Sequence, residues 1–228
     1  MVAAAEKNGC FLFIGYYLRF LDVVAQMRTS VLAGEIGTPL DLRAQRYSQH
    51  STSVFRQDLA QAGAGVLCDV AVHLNDLISY VTGEEIVSVH ATARPARIEN
   101  VPEDHIVLTA SLSGGGIVTV DSARGVVGGE NDFHIHGSIG AVCSGPLRWA
   151  DTHDLTLTSG EDSRKVSFSS GDPYARQIEG VVAALQGEDS AVATSSDGHR
   201  GVRVLAAALR SLESGRTEEV SVATAGTR

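Results

Sequence analysis

Ile106-Val107-Leu108-Thr109-Ala110-Ser111-Leu112-Ser113 and Ile117-Val118-Thr119-Val120-Asp121 alternate apolar and polar residues on either side of Gly114-Gly115-Gly116. That is the pattern of two half-buried strands joined by a hairpin turn. The same period of two runs from Ile86 to Phe168, broken by turn signals at Pro102, Gly128-Gly129, Gly137 to Gly140 and Gly160. It predicts about six strands with no crossover helix between them, and hence an antiparallel sheet. Helical periodicity flanks the sheet. Leu21 to Leu32 is stopped by Gly34, and a second helix runs from Gly63-Ala64-Gly65 to about Gly83. Two more close the chain. One spans Pro173 to Leu185; the other spans Asp197 to Ser214, with Ser196 or Asp197 as N-cap and an apolar stripe at Val202, Leu205, Ala206, Leu209 and Leu212. Residues 2–8 read as a helix end, Cys10 to Ile14 as a buried strand, and Pro39 to Tyr47 as a further strand. Ser48 to Ala62 is polar and aperiodic and reads as a long loop, a common place for functional residues. The fold class expected is α+β: a large, mostly antiparallel open sheet with helices packed on one face. An apolar open face would need covering, most simply by a second copy of the chain.

The 228 residues carry a net charge of −9, 43% hydrophobic and 20% charged residues, which is ordinary for a globular protein. With no clustered basic stripe, nucleic acid and anionic membranes are poor partners. No uninterrupted apolar run reaches the roughly 18 residues that span a bilayer, and Met1 to Lys7 lacks the form of a signal peptide. Cys10, Cys68 and Cys143 are odd in number and widely spaced, so neither a disulfide framework nor a zinc cluster is indicated. A reducing cytoplasm is the expected compartment. Cys68 reads as a small buried hydrophobe rather than a nucleophile.

The second helix holds the main chemical candidates. Val66, Val70, Leu74 and Leu77 recur at steps of three or four, while Asp69 and His73 stand four apart on a neighbouring face. A carboxylate that fixes the tautomer of an imidazole and raises its basicity makes a proton-transfer pair; the spacing equally fits an ordinary polar pair on a helix surface. Arg46, His50 and Arg56, in or beside the long loop, are candidates to meet a hydroxylated or anionic substrate. His134 and His136 share one face of a strand, where a cross-strand pair and a metal chelate are alternatives.

The small-residue turn before Asp69-x-x-x-His73 resembles the signature of the glucose–fructose oxidoreductase, inositol dehydrogenase and MocA (Gfo/Idh/MocA) family. Phe13-Ile14-Gly15-Tyr16-Tyr17-Leu18-Arg19-Phe20, Ala33 to Gly37, His134-Ile135-His136-Gly137-Ser138-Ile139-Gly140, Asp172-Pro173-Tyr174-x-x-Gln177 and Ser196-Asp197-Gly198 are similar to other family segments, in the family's order. Two departures are small-for-small: Ala71 and Ala64 stand where glycine is usual. A third is larger. The Gly-x-Gly-x-x-Gly of a dinucleotide-binding domain and the family's Glu-Lys-Pro are absent from the sequence. The resemblance therefore implies a domain remnant at residues 1–20 and a substrate-binding, oligomerising α/β domain at 21–228. The Met1 start inside an apparent helix suggests a truncated gene.

By the same resemblance, the intact enzyme oxidises a secondary alcohol of a sugar or cyclitol with NAD or NADP. His73 is then its general acid/base, Asp69 orients it, and Arg19, Arg46, His50 and Arg56 are candidate substrate contacts. This chain alone is expected to bind no dinucleotide and to be inactive in redox chemistry. Its expected partners are the sugar or cyclitol, a second copy through the open sheet, and a separate nucleotide-domain chain. Two other functional classes stay open: a cofactor-independent epimerase or lyase using Asp69 and His73, and a non-catalytic assembly subunit.

Overall fold

A computed structural model describes residues 1–48, 58–94, 102–147, 152–169 and 171–221. The sheet strands are β2 (Pro39–Ser48), β3 (Ile86–Arg94), β4 (His105–Leu112), β5 (Ile117–Arg124), β6 (Phe133–Gly137), β7 (Gly140–Ser144), β8 (Thr152–Ser159), β9 (Asp162–Ser169) and β11 (Glu218–Glu219). They hydrogen-bond in the order β11-β3-β4-β5-β2-β6-β7-β8-β9, nine strands among the described residues. The α+β class holds. Between Ile86 and Phe168 there are seven strands rather than about six.

β2 inserts between β5 and β6 and runs parallel to β5, with Arg46 opposite Ser122 and Ser48 opposite Arg124. The other strand pairs are antiparallel. A parallel pair needs a long return path, and the helices and hairpin between Ser48 and Ile117 supply it. This insertion builds the site. On β2, Leu42 and Ala44 point to the helices, and Arg46 follows at the same parity; on β5, Val118, Val120 and Ser122 do so and Arg124 follows. The register makes Arg46 and Arg124 diagonal neighbours on the helix side of the sheet.

The helices are α1 (Val2–Lys7), α2 (Asp22–Leu32), α3 (Leu59–Ala62), α4 (Val72–Thr82), α5 (Pro173–Leu185) and α6 (Ser195–Ser214). α4 lies in the core, where Leu74, Leu77, Ile78 and Val81 are each at most 1% exposed, a burial worth about 1.5–3 kcal/mol per side chain. Its C-terminus is closed by Gly83 in the left-handed conformation at φ 74°. The stretch Leu59–Thr82 is apolar and long enough to cross a bilayer on composition alone, but most of its apolar part is buried inside the domain.

Three expectations need correction. Only Phe13–Ile14 (β1) of the Cys10 to Ile14 segment is a strand; it pairs antiparallel with Ala193–Thr194 (β10), while Cys10 and Phe11 are exposed. The partner stretch is two residues long, so the ladder is no longer. α6 starts at Ser195, with Thr194 as N-cap and Asp197 completing a capping box. Of the expected stripe, Leu205, Leu209 and Leu212 pack part-buried against the core; the fully buried face is Gly201, Val204, Ala207, Ala208 and Ser211, whereas Ala206 is exposed and Val202 is 59% exposed. Small residues face β3 because the helix approaches closely enough for Ser211 Oγ to accept the Ala91 amide hydrogen at 2.9 Å. Finally, the open face of the sheet is mostly polar, with Val107 and the exposed Ile117 as apolar members. Asp41, Arg43, Gln45, Tyr47, His105, Thr109, Thr119, Asp121, His134 and His136 occupy its alternate positions. Tyr47 donates to Asp121 at 2.6 Å, and His105 Nε2 lies 2.7 Å from the same carboxylate.

Candidate functional site

The site begins at a backbone crossing. A Cβ on Gly65 would lie 1.9 Å from the Glu103 carbonyl oxygen, so only glycine fits. The crossing lets Glu103 hold the next two amides. Val66 N–H donates to its carbonyl at 3.0 Å and Leu67 N–H to its carboxylate at 2.9 Å. From there the helix makes one α-type bond, from the Asp69 amide to the Gly65 carbonyl at 3.3 Å, and then widens. Leu67–Ala71 form a π-turn, which passes into α4 at Val72, and such turns recur at functional sites.

The π-turn changes what the Asp69–His73 spacing means. Asp69 is directed to β5, where Arg124 Nη2 donates to its Oδ2 at 2.6 Å. His73 instead faces the segment after β1, with Tyr16 and Tyr17 edge-on at centroid distances of 5.9 and 5.5 Å. Its Nδ1 is buried and has no hydrogen-bond partner among the described residues. Its pKa is lowered to about 4, chiefly by burial and in part by the Arg46 charge, with Asp69 opposing both more weakly. The expected rise in basicity from Asp69 is therefore outweighed by desolvation.

Arg46 comes from β2 into the same cluster, donating through Nη2 to the Tyr17 hydroxyl at 2.5 Å and through Nη1 to the Leu147 carbonyl at 3.2 Å. Tyr174, at the start of α5, stacks on Tyr17 with centroids 4.6 Å apart and is 50% exposed. Burial is also the main reason the Tyr16 phenol is pushed up to about 12. An aromatic surface, a guanidinium and an imidazole thus converge from the segment after β1, β2, α4 and α5. Such a set can bind the C–H face and hydroxyls of a polyol.

Arg19 lies elsewhere. It is 5% exposed and grips Asp76 of α4 through Nε at 2.8 Å and Nη2 at 2.5 Å, with Asp197 of α6 at 3.2 Å. Its plane covers Tyr80 at 4.6 Å. This is a buried clamp joining the residues after β1 to α4 and α6, rather than a group facing a cleft. His50 and Arg56 lie outside the described residues. His134 and His136 make separate contacts, with Asp132 at 3.3 Å and Asp41 at 3.5 Å, and no group of three or more metal-ligating side chains occurs among the described residues. Cys68 is half-buried against the core, and burial pushes its thiol pKa up.

Tyr17, Tyr174 and Arg124 were not singled out from the sequence. Arg124 carries a readable signal: it is a charged residue at the parity of Val118, Val120 and Ser122, on the buried face of its strand.

Residues 24–143 match the family model described as GFO/IDH/MocA C-terminal domain. The chain belongs to the Gfo/Idh/MocA family. Among curated proteins it is similar to an uncharacterized oxidoreductase of Bacillus subtilis, at 27% identity over 94% of this chain and 64% of the relative. It is also similar to an inositol 2-dehydrogenase of Mycolicibacterium gilvum, at 29% identity over 92% of this chain and 60% of the relative. The chain thus spans somewhat under two thirds of the length of these relatives. Among solved structures, the aldose-aldose oxidoreductase from Caulobacter crescentus complexed with glycerol superposes with a TM-score of 0.83 at 24% identity, covering 96% of this chain and 66% of that one. A levoglucosan dehydrogenase in complex with NADH and levoglucosan superposes with a TM-score of 0.76 at 20% identity, covering 90% and 65%. These likenesses establish a shared fold.

Gly114-Gly115-Gly116 does not suit a dinucleotide. It closes the β4–β5 hairpin, and the Glu84 carboxylate already takes the Gly114 amide at 2.6 Å, placing an anion where a pyrophosphate would have to sit.

Proposed function

We propose that this domain binds a sugar or cyclitol and moves the proton of its reacting secondary hydroxyl in a dehydrogenase reaction. The observation that carries the reading is His73, whose buried Nδ1, without a hydrogen-bond partner among the described residues, stands among Tyr16, Tyr17 and Arg46. With a pKa near 4 the ring is neutral at physiological pH and can accept a hydroxyl proton. The imidazolium so formed is a strong acid in this pocket, which helps the reverse step, protonation of an alkoxide as a carbonyl is reduced. Arg46 and Tyr17 bind and orient neighbouring hydroxyls, and the exposed ring of Tyr174 offers a stacking face. Hydride acceptance falls to an NAD or NADP site outside these residues, in a nucleotide-binding domain that the remaining third of the relatives would supply. The relatives, which include inositol dehydrogenases and an aldose-aldose oxidoreductase, support the polyol class. Assembly through the polar open sheet face with a second copy is part of the same proposal.

The test is calorimetric titration of the full chain with myo-inositol and with aldoses. Saturable binding is expected, weakened about tenfold or more in Arg46→Ala, the usual worth of a hydrogen bond from a charged group. Absence of binding, or binding indifferent to both Arg46→Ala and His73→Ala, would refute the proposal.

A further inference from the structure

We propose that Arg124 is a positioning residue of this site, holding Asp69 against the sheet so that the His73 imidazole stays free of that carboxylate. The inference deepens the reading of His73 as an acid/base and rests on it. Three features carry it. The π-turn Leu67–Ala71 takes Asp69 out of simple α-helical register with His73. Arg124 receives the carboxylate at 2.6 Å, with its own side chain 12% exposed and that of Asp69 28% exposed. And one two-residue segment ties both partners in place. Glu103 accepts the Leu67 amide at the start of the π-turn, while the Asp104 carbonyl accepts the Arg124 amide at 2.7 Å. The ion pair and the unusual turn are thus built together.

Among the described residues, the groups facing His73 are Tyr16 and Tyr17 from the segment after β1, Arg46 from β2, and Asp69 from the π-turn. Arg124 of β5 acts through Asp69, and Tyr174 of α5 acts through Tyr17. Among the described residues, Asp69 is the acid whose charge acts on His73. In an α-helix, four-residue spacing would bring it within reach of the ring. Released, its carboxylate would accept a hydrogen bond from a His73 N–H and stabilise the imidazolium; held by Arg124, its charge is largely answered. Arg124 therefore sets how basic His73 is, without touching it.

Long-range 1H–15N spectra of the histidine imidazoles in the full chain, recorded over a pH series, test this directly. The His73 signal is assigned from its loss in His73→Gln. Arg124→Met should raise the His73 midpoint by about 1–3 units, the effect of an opposite charge brought into contact. Arg124→Lys should restore most of the low value, and adding Asp69→Asn to Arg124→Met should abolish the rise. A folded Arg124→Met with His73 unmoved, or a rise that survives Asp69→Asn, would overturn the proposal. Should Arg124→Met fail to fold, Asp69→Asn alone decides. A shift below about half a unit supports the proposal, because the carboxylate is already answered, and a fall of a full unit, the lower end of a contact charge effect, overturns it. The titration uses no substrate, so its failure is separable from failure of the polyol reading.

Discussion

Gly65→Ala should destabilise the domain more than its single methyl suggests. The new Cβ would sit 1.9 Å from the carbonyl oxygen of Glu103 and 2.7 Å from its amide nitrogen. Both atoms are main chain, so no side-chain rotation relieves the overlap. Overpacking of this kind costs about 1–3 kcal/mol. Moving the strands apart also loosens the Val66–Glu103 and Leu67–Glu103 hydrogen bonds, worth about 0.5–1.5 kcal/mol each. The sum, about 2–6 kcal/mol, corresponds to a fall in melting temperature of roughly 5–20 °C for a domain of this size. Because the obstacle is backbone, Glu103→Ala should not rescue the variant. Calorimetric or circular-dichroism melting of the two single variants and the double decides it. A Gly65→Ala protein melting within about 1 °C of the parent, or one restored by Glu103→Ala, would show that the crossing does not hold the site as described.

Further outcomes follow from the same geometry. Asp76→Asn leaves the buried Arg19 guanidinium undercompensated and should cost about 3–5 kcal/mol in urea unfolding, whereas a surface pair such as Arg43–Asp41 should cost under about 1 kcal/mol. His73 has a folded-state pKa below its unfolded value, so the unfolded chain binds the proton first as pH falls. Stability is therefore lost from about pH 6.5 downward, with the loss complete below about pH 4. Between pH 7 and pH 5 His73 should account for about 2 kcal/mol, and His73→Gln should flatten that part of the profile by the same amount. NADH and NADPH followed by nicotinamide fluorescence should show no saturable binding to this chain in the micromolar range; saturation would place a cofactor site here and contradict the division of labour.

Much of this architecture is legible in the sequence because it depends on neighbouring residues. Gly34 and Gly83 end their helices where expected, and Gly114 to Gly116 make the predicted hairpin. What sequence spacing could not give depends on distant chain. Alternation assigns faces to β2 but not neighbours, so its parallel place beside β5 was unreadable, and with it the diagonal approach of Arg46 and Arg124. The letters Asp69-x-x-x-His73 are the same in α and π geometry; the choice follows from Glu103, thirty residues on. α6 shows the opposite error. Its large apolar residues draw the eye to Val202, which is exposed; Leu205, Leu209 and Leu212 only flank the core, and the fully buried face carries the smaller Gly201, Val204, Ala207, Ala208 and Ser211. Arg19 and Arg46 look alike in sequence, and burial beside Asp76 separates the clamp from the site.

The central claim is that a polyol meets His73, Tyr17, Arg46 and Tyr174. Residue-resolved NMR of the full chain during titration with myo-inositol tests it most directly. Saturable shifts of the His73 imidazole and the Tyr17 and Tyr174 rings, with one shared midpoint, are the predicted result. Saturable shifts confined to another part of the domain, with these rings unmoved, would contradict it.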